Sequence, residues 1–376
     1  IEMITSKGYP AETHVVQTVD GYVLTMHRIP YGLTAKGANR PNKSVVFLQH
    51  GLLSSSACWV LTGPDNDALA FMLADAGYDV WMGNARGNTW SRKNVNLDPD
   101  NPTTRSAFWS FSWHEIGYFD LPAMVDFSLK VTGRTKLHYV GHSQGTTAIF
   151  VLLSLRKEYN DKFLSVNCLA PVVFMSHLKS PFLRILAPSV GITSVVANLI
   201  GLDEFLPSNQ MMVLGGQLLC MNTSPTQEVC SNVLFLICGY DSQQLNRTTV
   251  PAIMASTPAG AATKQVVHYG QEINSGYFRQ YDYGLFENRR RYNSDTPPNY
   301  PLKNITAPIG LYYGDNDWLA AVQDVEYLHG NLTNANIIQY YNVPLDKFNH
   351  LDFLWAKDVK SLLYDKLVEV INNLNV

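Results

Sequence analysis

Residues 13–19 and 22–29 alternate apolar and polar positions on either side of Asp20-Gly21. That pattern predicts two strands joined by a tight turn. Residues 44–49 (SVVFLQ) and 78–83 (YDVWMG) are instead nearly continuous apolar runs, the mark of strands buried on both faces. Further runs of this kind are predicted at 163–171 and 307–314, with a strand at 336–343. Apolar residues at helical spacing fall between them, predicting helices over 65–76, 111–133, 320–329 and 356–373. Gly77 and Gly133 stop the first two, and Pro122 reads as lying near a helix start. Between residues 136 and 150 an alternating run (KLHYV) meets Gly-His-Ser-Gln-Gly and continues as TTAIF, which predicts strand, sharp turn and helix. Gly141 and Gly145 have a steric task there, because strand and helix approach closely around such a turn.

Strands alternating with helices imply an α/β fold with a mostly parallel, doubly wound sheet. About 130 residues interrupt the rhythm after the strand at 163–171. The division expected is a first core part over 1–173, a largely helical cap and lid insertion over 174–306, and a second core part over 307–376. Two uncharged runs, 185–202 and 205–227, are long enough to cross a bilayer. Their prolines, asparagines and glycines argue against it, so no transmembrane segment is expected.

The composition of the 376-residue chain is globular, with 46% hydrophobic and 16% charged residues. A net charge of −3 gives no reason to expect nucleic acid. Ile1-Glu2-Met3 reads as a trimmed, mature N-terminus. Five Asn-x-Ser/Thr sequons, at Asn42, Asn222, Asn246, Asn304 and Asn331, lean towards the secretory route. Cys58, Cys168 and Cys238 lie in apolar runs and read as buried small hydrophobes. Cys220 and Cys230 flank a polar loop that a disulfide would staple. No Cys/His spacing suggests a metal, and no cofactor is implied.

Gly-x-Ser-x-Gly between a strand and a helix makes Ser143 a candidate nucleophile on a strained elbow. Hydrolases built this way order their residues Ser, then acid, then His. Four histidines follow Ser143, namely His177, His268, His329 and His350. Of these, His350 lies past the last predicted strand, at the carboxyl edge where open α/β sheets carry ligands. The acid is Asp315 or Asp317 of GDND, with Asp317 preferred and Asp315 open as a turn former. Backbone N–H groups of Leu52, after His50-Gly51, and of Gln144 would hold an oxyanion. This set permits acyl transfer.

FLQHGLL, LADAGYDVWMGNARGNTWSR, FWSFSWHEIGYFDLPA, LHYVGHSQGTT, CLAPV, VCSNVLFLICGYD and FNHLDFLWA together resemble the acid lipases, the family that includes gastric and lysosomal acid lipase. The resemblance runs from residue 8 to the last helix and reads as that of a distant member of invertebrate type. It implies an α/β-hydrolase core, nucleophile Ser143, base His350 and acid Asp317, with oxyanion donors at Leu52 and Gln144. It also implies a lid near residues 204–238 whose disulfide falls on Cys220 and Cys230. The activity implied is lipid ester hydrolysis at a lipid–water interface by a secreted or lysosomal enzyme. An esterase or thioesterase for dissolved substrates is the alternative, and a non-catalytic lipid binder the minor one. The match is weakest over 174–219, so substrate preference is not carried over.

Overall fold

The structure, a computed structural model, describes residues 1–38, 41–61, 67–181, 184, 203–207 and 237–375. Its centre is an eight-stranded sheet. In chain order the strands are β1 (Glu12–Gln17), β2 (Val23–Ile29), β3 (Val45–Gln49), β4 (Asp79–Gly83), β5 (Leu137–His142), β6 (Phe163–Leu169), β7 (Pro308–Tyr313) and β8 (Asn336–Asn342). Their spatial order is β1-β2-β4-β3-β5-β6-β7-β8. Only β2 runs against its neighbours, and every pairing from β4 to β8 is parallel.

Burial follows the sequence pattern. Every residue of β3 and β4 is buried, as continuous apolar runs require, and so is every residue of β5 although its run alternates, because it lies at the centre of the sheet; β1 alternates half-buried and exposed positions at the sheet edge. The chain moves from β3 outward to β4, then crosses back to place β5 on the other side of β3. The carboxyl ends of β3 and β5 thus flank the point where winding reverses, the usual crevice for ligands in such sheets.

The helices used below are α1 (Glu2–Thr5), α2 (Leu69–Asp75), α3 (Leu121–Thr132), α4 (Gln144–Leu155), α5 (Val250–Ser256), α6 (Thr263–Ser275), α7 (Leu285–Tyr292), α8 (Val322–Asn331), α9 (Asp352–Trp355) and α10 (Asp365–Asn373). Pro122 lies near a helix start, as expected, at the second residue of α3. Helical structure begins at Trp113–Glu115, where Ser112 and Glu115 form a reciprocal capping box, and passes through a π turn at Ile116–Asp120 before α3. A proline cannot donate the usual i→i−4 bond, and the widened turn directly before it accommodates that loss. Gly133 ends α3 in the left-handed region at φ 66°, as its position suggested.

Arg86, in the loop after β4, is a structural clamp. Its backbone N–H and Nε donate to Asp120 at 3.0 and 2.8 Å, and Nη1 and Nη2 reach Asp20 at 2.6 and 3.0 Å. The guanidinium also stacks 3.9 Å from the Tyr22 ring centroid. It ties the β1–β2 turn to the helical run before α3.

Between β6 and β7 the described residues contribute α5, α6 and α7, and Glu204–Phe205 pairs antiparallel with Ala261–Ala262. Cys220, Cys230, Asn222 and most of the two uncharged runs lie outside the described residues. Cys58, Cys168 and Cys238 are buried free thiols, as expected. Among the described residues, no helix is long and apolar enough to cross a membrane.

Candidate active site

Ser143 sits between β5 and α4 with φ 53° and ψ −118°, a conformation that side-chain-bearing residues rarely adopt. Its backbone N–H donates to Leu169 O at 3.0 Å, and its carbonyl accepts from Thr146 N at 2.8 Å, which pins the turn. The flanking glycines are required by contact. A Cβ on Gly145 would lie 2.4 Å from Gln49 O, and one on Gly141 would lie 2.9 Å from Gly145 C. The loop after β3 closes on the same point, since a Cβ on Gly51 would come within 3.0 Å of Ser143 Cβ.

His350 lies on the loop between β8 and α9, and Asp317 on the loop after β7. The structure brings them together. His350 Nδ1 is 2.8 and 3.0 Å from the two Asp317 oxygens, and both residues are buried. Asp317 Oδ1 also accepts from Leu319 N at 2.9 Å and Ala320 N at 2.8 Å, so the carboxylate is held as an acceptor. With Nδ1–H donated to Asp317, His350 keeps Nε2 as an acceptor. His142, next to Ser143, donates from Nε2 to His350 O at 2.9 Å, which joins the elbow to the His350 loop. Burial, with the neighbouring His350 ring, lowers the His142 pKa to about 3, so it stays neutral.

Residues 238–240 bracket Asp317 and His350, a role that sequence reasoning did not assign. Cys238 O accepts from both His350 N (3.3 Å) and Trp318 N (3.4 Å). Gly239 O accepts from Asn349 Nδ2 at 3.1 Å, and Tyr240 O accepts from Asn316 Nδ2 at 3.0 Å. Gly239 has φ 112°, and a Cβ there would fall 2.2 Å from Asn316 O. Asn349 and Asp352 complete the frame. Asn349 N donates to Asp352 Oδ2 at 2.7 Å, while Asp352 N donates to Asn349 Oδ1 at 3.1 Å. The Asn-x-x-Asp spacing around His350 is a capping signature that could have revealed this box.

Among the described residues, the backbone N–H groups of Leu52 and Gln144 donate to no acceptor. His50 fixes the Leu52 loop, with Nδ1–H donating to Gly51 O at 2.7 Å and Nε2 accepting from Ala85 N at 3.1 Å. Burial lowers its pKa to about 4. Gln144 Nε2 donates to Gln265 Oε1 at 2.7 Å, and Thr147 Oγ1 lies 2.9 Å from the Tyr269 hydroxyl. Two rungs therefore link α4 to α6.

The other candidates are placed elsewhere. Asp315 is exposed and accepts from Asn342 Nδ2 at 3.0 Å. His177 pairs with Asp324, His268 stacks 3.7 Å from the Trp113 centroid, and His329 lies against Tyr340. Asn42 is exposed, Asn246 is half-buried, and the amides of Asn304 and Asn331 donate to Ser154 O and Tyr327 O. Among the described residues, no group of three or more His, Cys, Asp or Glu could hold a metal ion.

The sequence matches the family described as a partial alpha/beta-hydrolase lipase region over residues 1–63, and the alpha/beta hydrolase fold over residues 44–356. It is 48% identical to Lipase 3 of Drosophila melanogaster over 369 residues, covering 98% of this chain and 91% of that one. It is 40% identical to the gastric triacylglycerol lipase of Mus musculus over 372 residues, covering 98% and 90%. The chain belongs to the acid lipase family of the α/β-hydrolases. As a member it is an ester hydrolase of lipase type. Two solved structures share its fold at low identity. One is a soluble variant of monoglyceride lipase from Saccharomyces cerevisiae (TM-score 0.53, 14% identity, 98% of each chain). The other is a thioesterase domain from the curacin biosynthetic pathway (TM-score 0.52, 15% identity, 97% and 99%).

Proposed function

We propose that Ser143, His350 and Asp317 form the catalytic triad of a lipase acting on long-chain acylglycerols, with cholesteryl esters as a second substrate class. The two-oxygen contact of Asp317 with His350 Nδ1 is the observation that carries this reading. Ser143 Oγ attacks the ester carbonyl as His350 Nε2 takes its proton, and the imidazolium is stabilised by Asp317. Leu52 N–H and Gln144 N–H receive the developing oxyanion, at about 3 kcal/mol per donor. The imidazolium then protonates the leaving alcohol, and water enters by the same route to release the acid.

The segment 174–306 acts as cap and lid over this site, with a disulfide between Cys220 and Cys230 shaping the lid. It meets a lipid–water interface when open. The sequons support a secretory destination, secreted or lysosomal. Exposed Asn42 is the favoured glycan acceptor, because a glycan on Asn304 would displace its bond to Ser154 O.

Turnover of emulsified long-chain triacylglycerol and of a dissolved short-chain ester tests the reading. The expected result is a rise in rate as substrate passes its solubility limit, and loss of turnover in Ser143→Ala with unchanged melting. Equal rates on dissolved short esters, with no such rise, would favour an esterase. Failure of a fluorophosphonate to label Ser143 would favour a lipid binder.

A further inference from the structure

The peptide joining Gly51 to Leu52 carries one of the two N–H groups proposed above as oxyanion donors. It starts beside Ser143, since a Cβ on Gly51 would lie 3.0 Å from Ser143 Cβ. A trans peptide is planar, so its C=O and N–H point in opposite directions. Whatever holds Gly51 O therefore sets the direction of Leu52 N–H. Its shorter partner is the His50 ring, with Nδ1 at 2.7 Å, while Ser54 N lies at 3.3 Å.

The neutral ring has one tautomer open to it. Gly51 O can only accept, so Nδ1 carries the proton. Nε2 faces two donors, Ala85 N at 3.1 Å and Asn88 Nδ2 at 3.2 Å. The sense of the Asn88 amide is fixed in turn, because its Oδ1 accepts from Trp90 N and Ser91 N at 3.0 and 3.1 Å. His50 is 3% exposed, and burial lowers its pKa to about 4, so the ring stays neutral at higher pH and Nε2 stays an acceptor. With Nδ1–H given to Gly51 O and Nε2 taken by two N–H groups, His50 has no lone pair left for a serine proton. It is no base, and it acts only through the peptide it holds.

That hold does two things. It fixes the rotation of the peptide plane, and hence the aim of Leu52 N–H. It also polarises the amide, because a hydrogen bond accepted at the carbonyl strengthens donation from the N–H at the far end.

We propose that His50 is a positioning residue for the ester hydrolysis, aiming and polarising Leu52 N–H for the oxyanion through its hydrogen bond to Gly51 O. The proposal rests on the reading of Leu52 as an oxyanion donor to the adduct formed on Ser143.

His50→Asn and His50→Leu test it as a pair of equal shape. Both lose the acceptor for Ala85 N, but Asn Nδ2 can take the place of His50 Nδ1 as donor to Gly51 O, and Leu has no donor. Steady-state kinetics on a dissolved short-chain ester should show kcat in His50→Leu at least about tenfold below that in His50→Asn, with KM within about twofold. Binding of butylboronic acid, whose tetrahedral adduct on the serine presents an oxygen to the same donors, should weaken by the same factor. Rates are referred to the fraction of Ser143 that a fluorophosphonate labels at completion, so that a loss of folded protein is not read as a loss of kcat. Equal kcat in the two variants, or a loss confined to KM, would overturn the proposal and leave the role of Ser143 intact. A wild-type Ser143 that takes no label would overturn both. Should His50→Leu show no folded melting transition, His50→Met is the donor-free variant, and the same comparison decides.

Discussion

Ser143 holds an uncommon backbone conformation, and strain at this proposed nucleophile is a cost borne for exposure of its hydroxyl. Ser143→Gly removes the Cβ that makes φ 53° unfavourable. It should unfold at higher denaturant than Ser143→Ala, by about 1 kcal/mol, although both lose turnover. Urea titrations of the two variants check this. Arg86 makes the opposite case, a charge kept for architecture. Arg86→Leu leaves Asp120 buried without its cation, and a loss of about 3–5 kcal/mol in unfolding free energy is expected. The candidate nucleophile, base and acid were legible because each sits where an apolar strand runs out into polar residues. The partners of Arg86 were not, because Asp20 and Asp120 are 66 and 34 residues away and only the tertiary fold selects them.

Among the elements, the strands were the most legible, since burial on both faces leaves an unbroken apolar run in the sequence. Helix starts were less so. Pro122 points to the start of α3, whereas the box of Ser112 and Glu115 that opens the preceding helical run is not marked by apolar periodicity. The bracket at 238–240 left no periodic trace, because it works through backbone carbonyls. Gly239→Ala would drive a Cβ into Asn316 O and part the Asp317 loop from the His350 loop. A fall in kcat of at least tenfold with KM little changed is expected, since substrate contacts are left in place. Steady-state kinetics on a dissolved ester would reveal it. The α4–α6 rungs make a related point. Gln144, whose N–H is a proposed oxyanion donor, has its side chain held by Gln265, so a shift of α6 would bear on that donor.

At the level of the molecule, stability depends on pH through opposed sets of groups. Burial lowers His27, His50 and His138 to about 4 and His142 to about 3. The unfolded chain binds protons on these residues first, so their contribution is present above about pH 6.5 and lost as pH falls towards 4. Asp352 runs the other way. Burial, with the charges of Asp241 and Asp317, raises its pKa to about 8. The folded chain holds that proton longer, and stability falls as pH rises from about 4 to 8. Asp352→Asn imitates the protonated form and should leave the urea midpoint unchanged at pH 4 but raise it at pH 8. The strand order has a consequence for biosynthesis. β7 and β8, whose following loops hold Asp317 and His350, the proposed acid and base, occupy one flank of the sheet and are made last. A nascent chain that has assembled β1 to β6 holds its serine with neither partner. The proposed triad is thus complete only once the last two strands have joined the sheet, so loss of residues 307–376 should leave Ser143 without its partners.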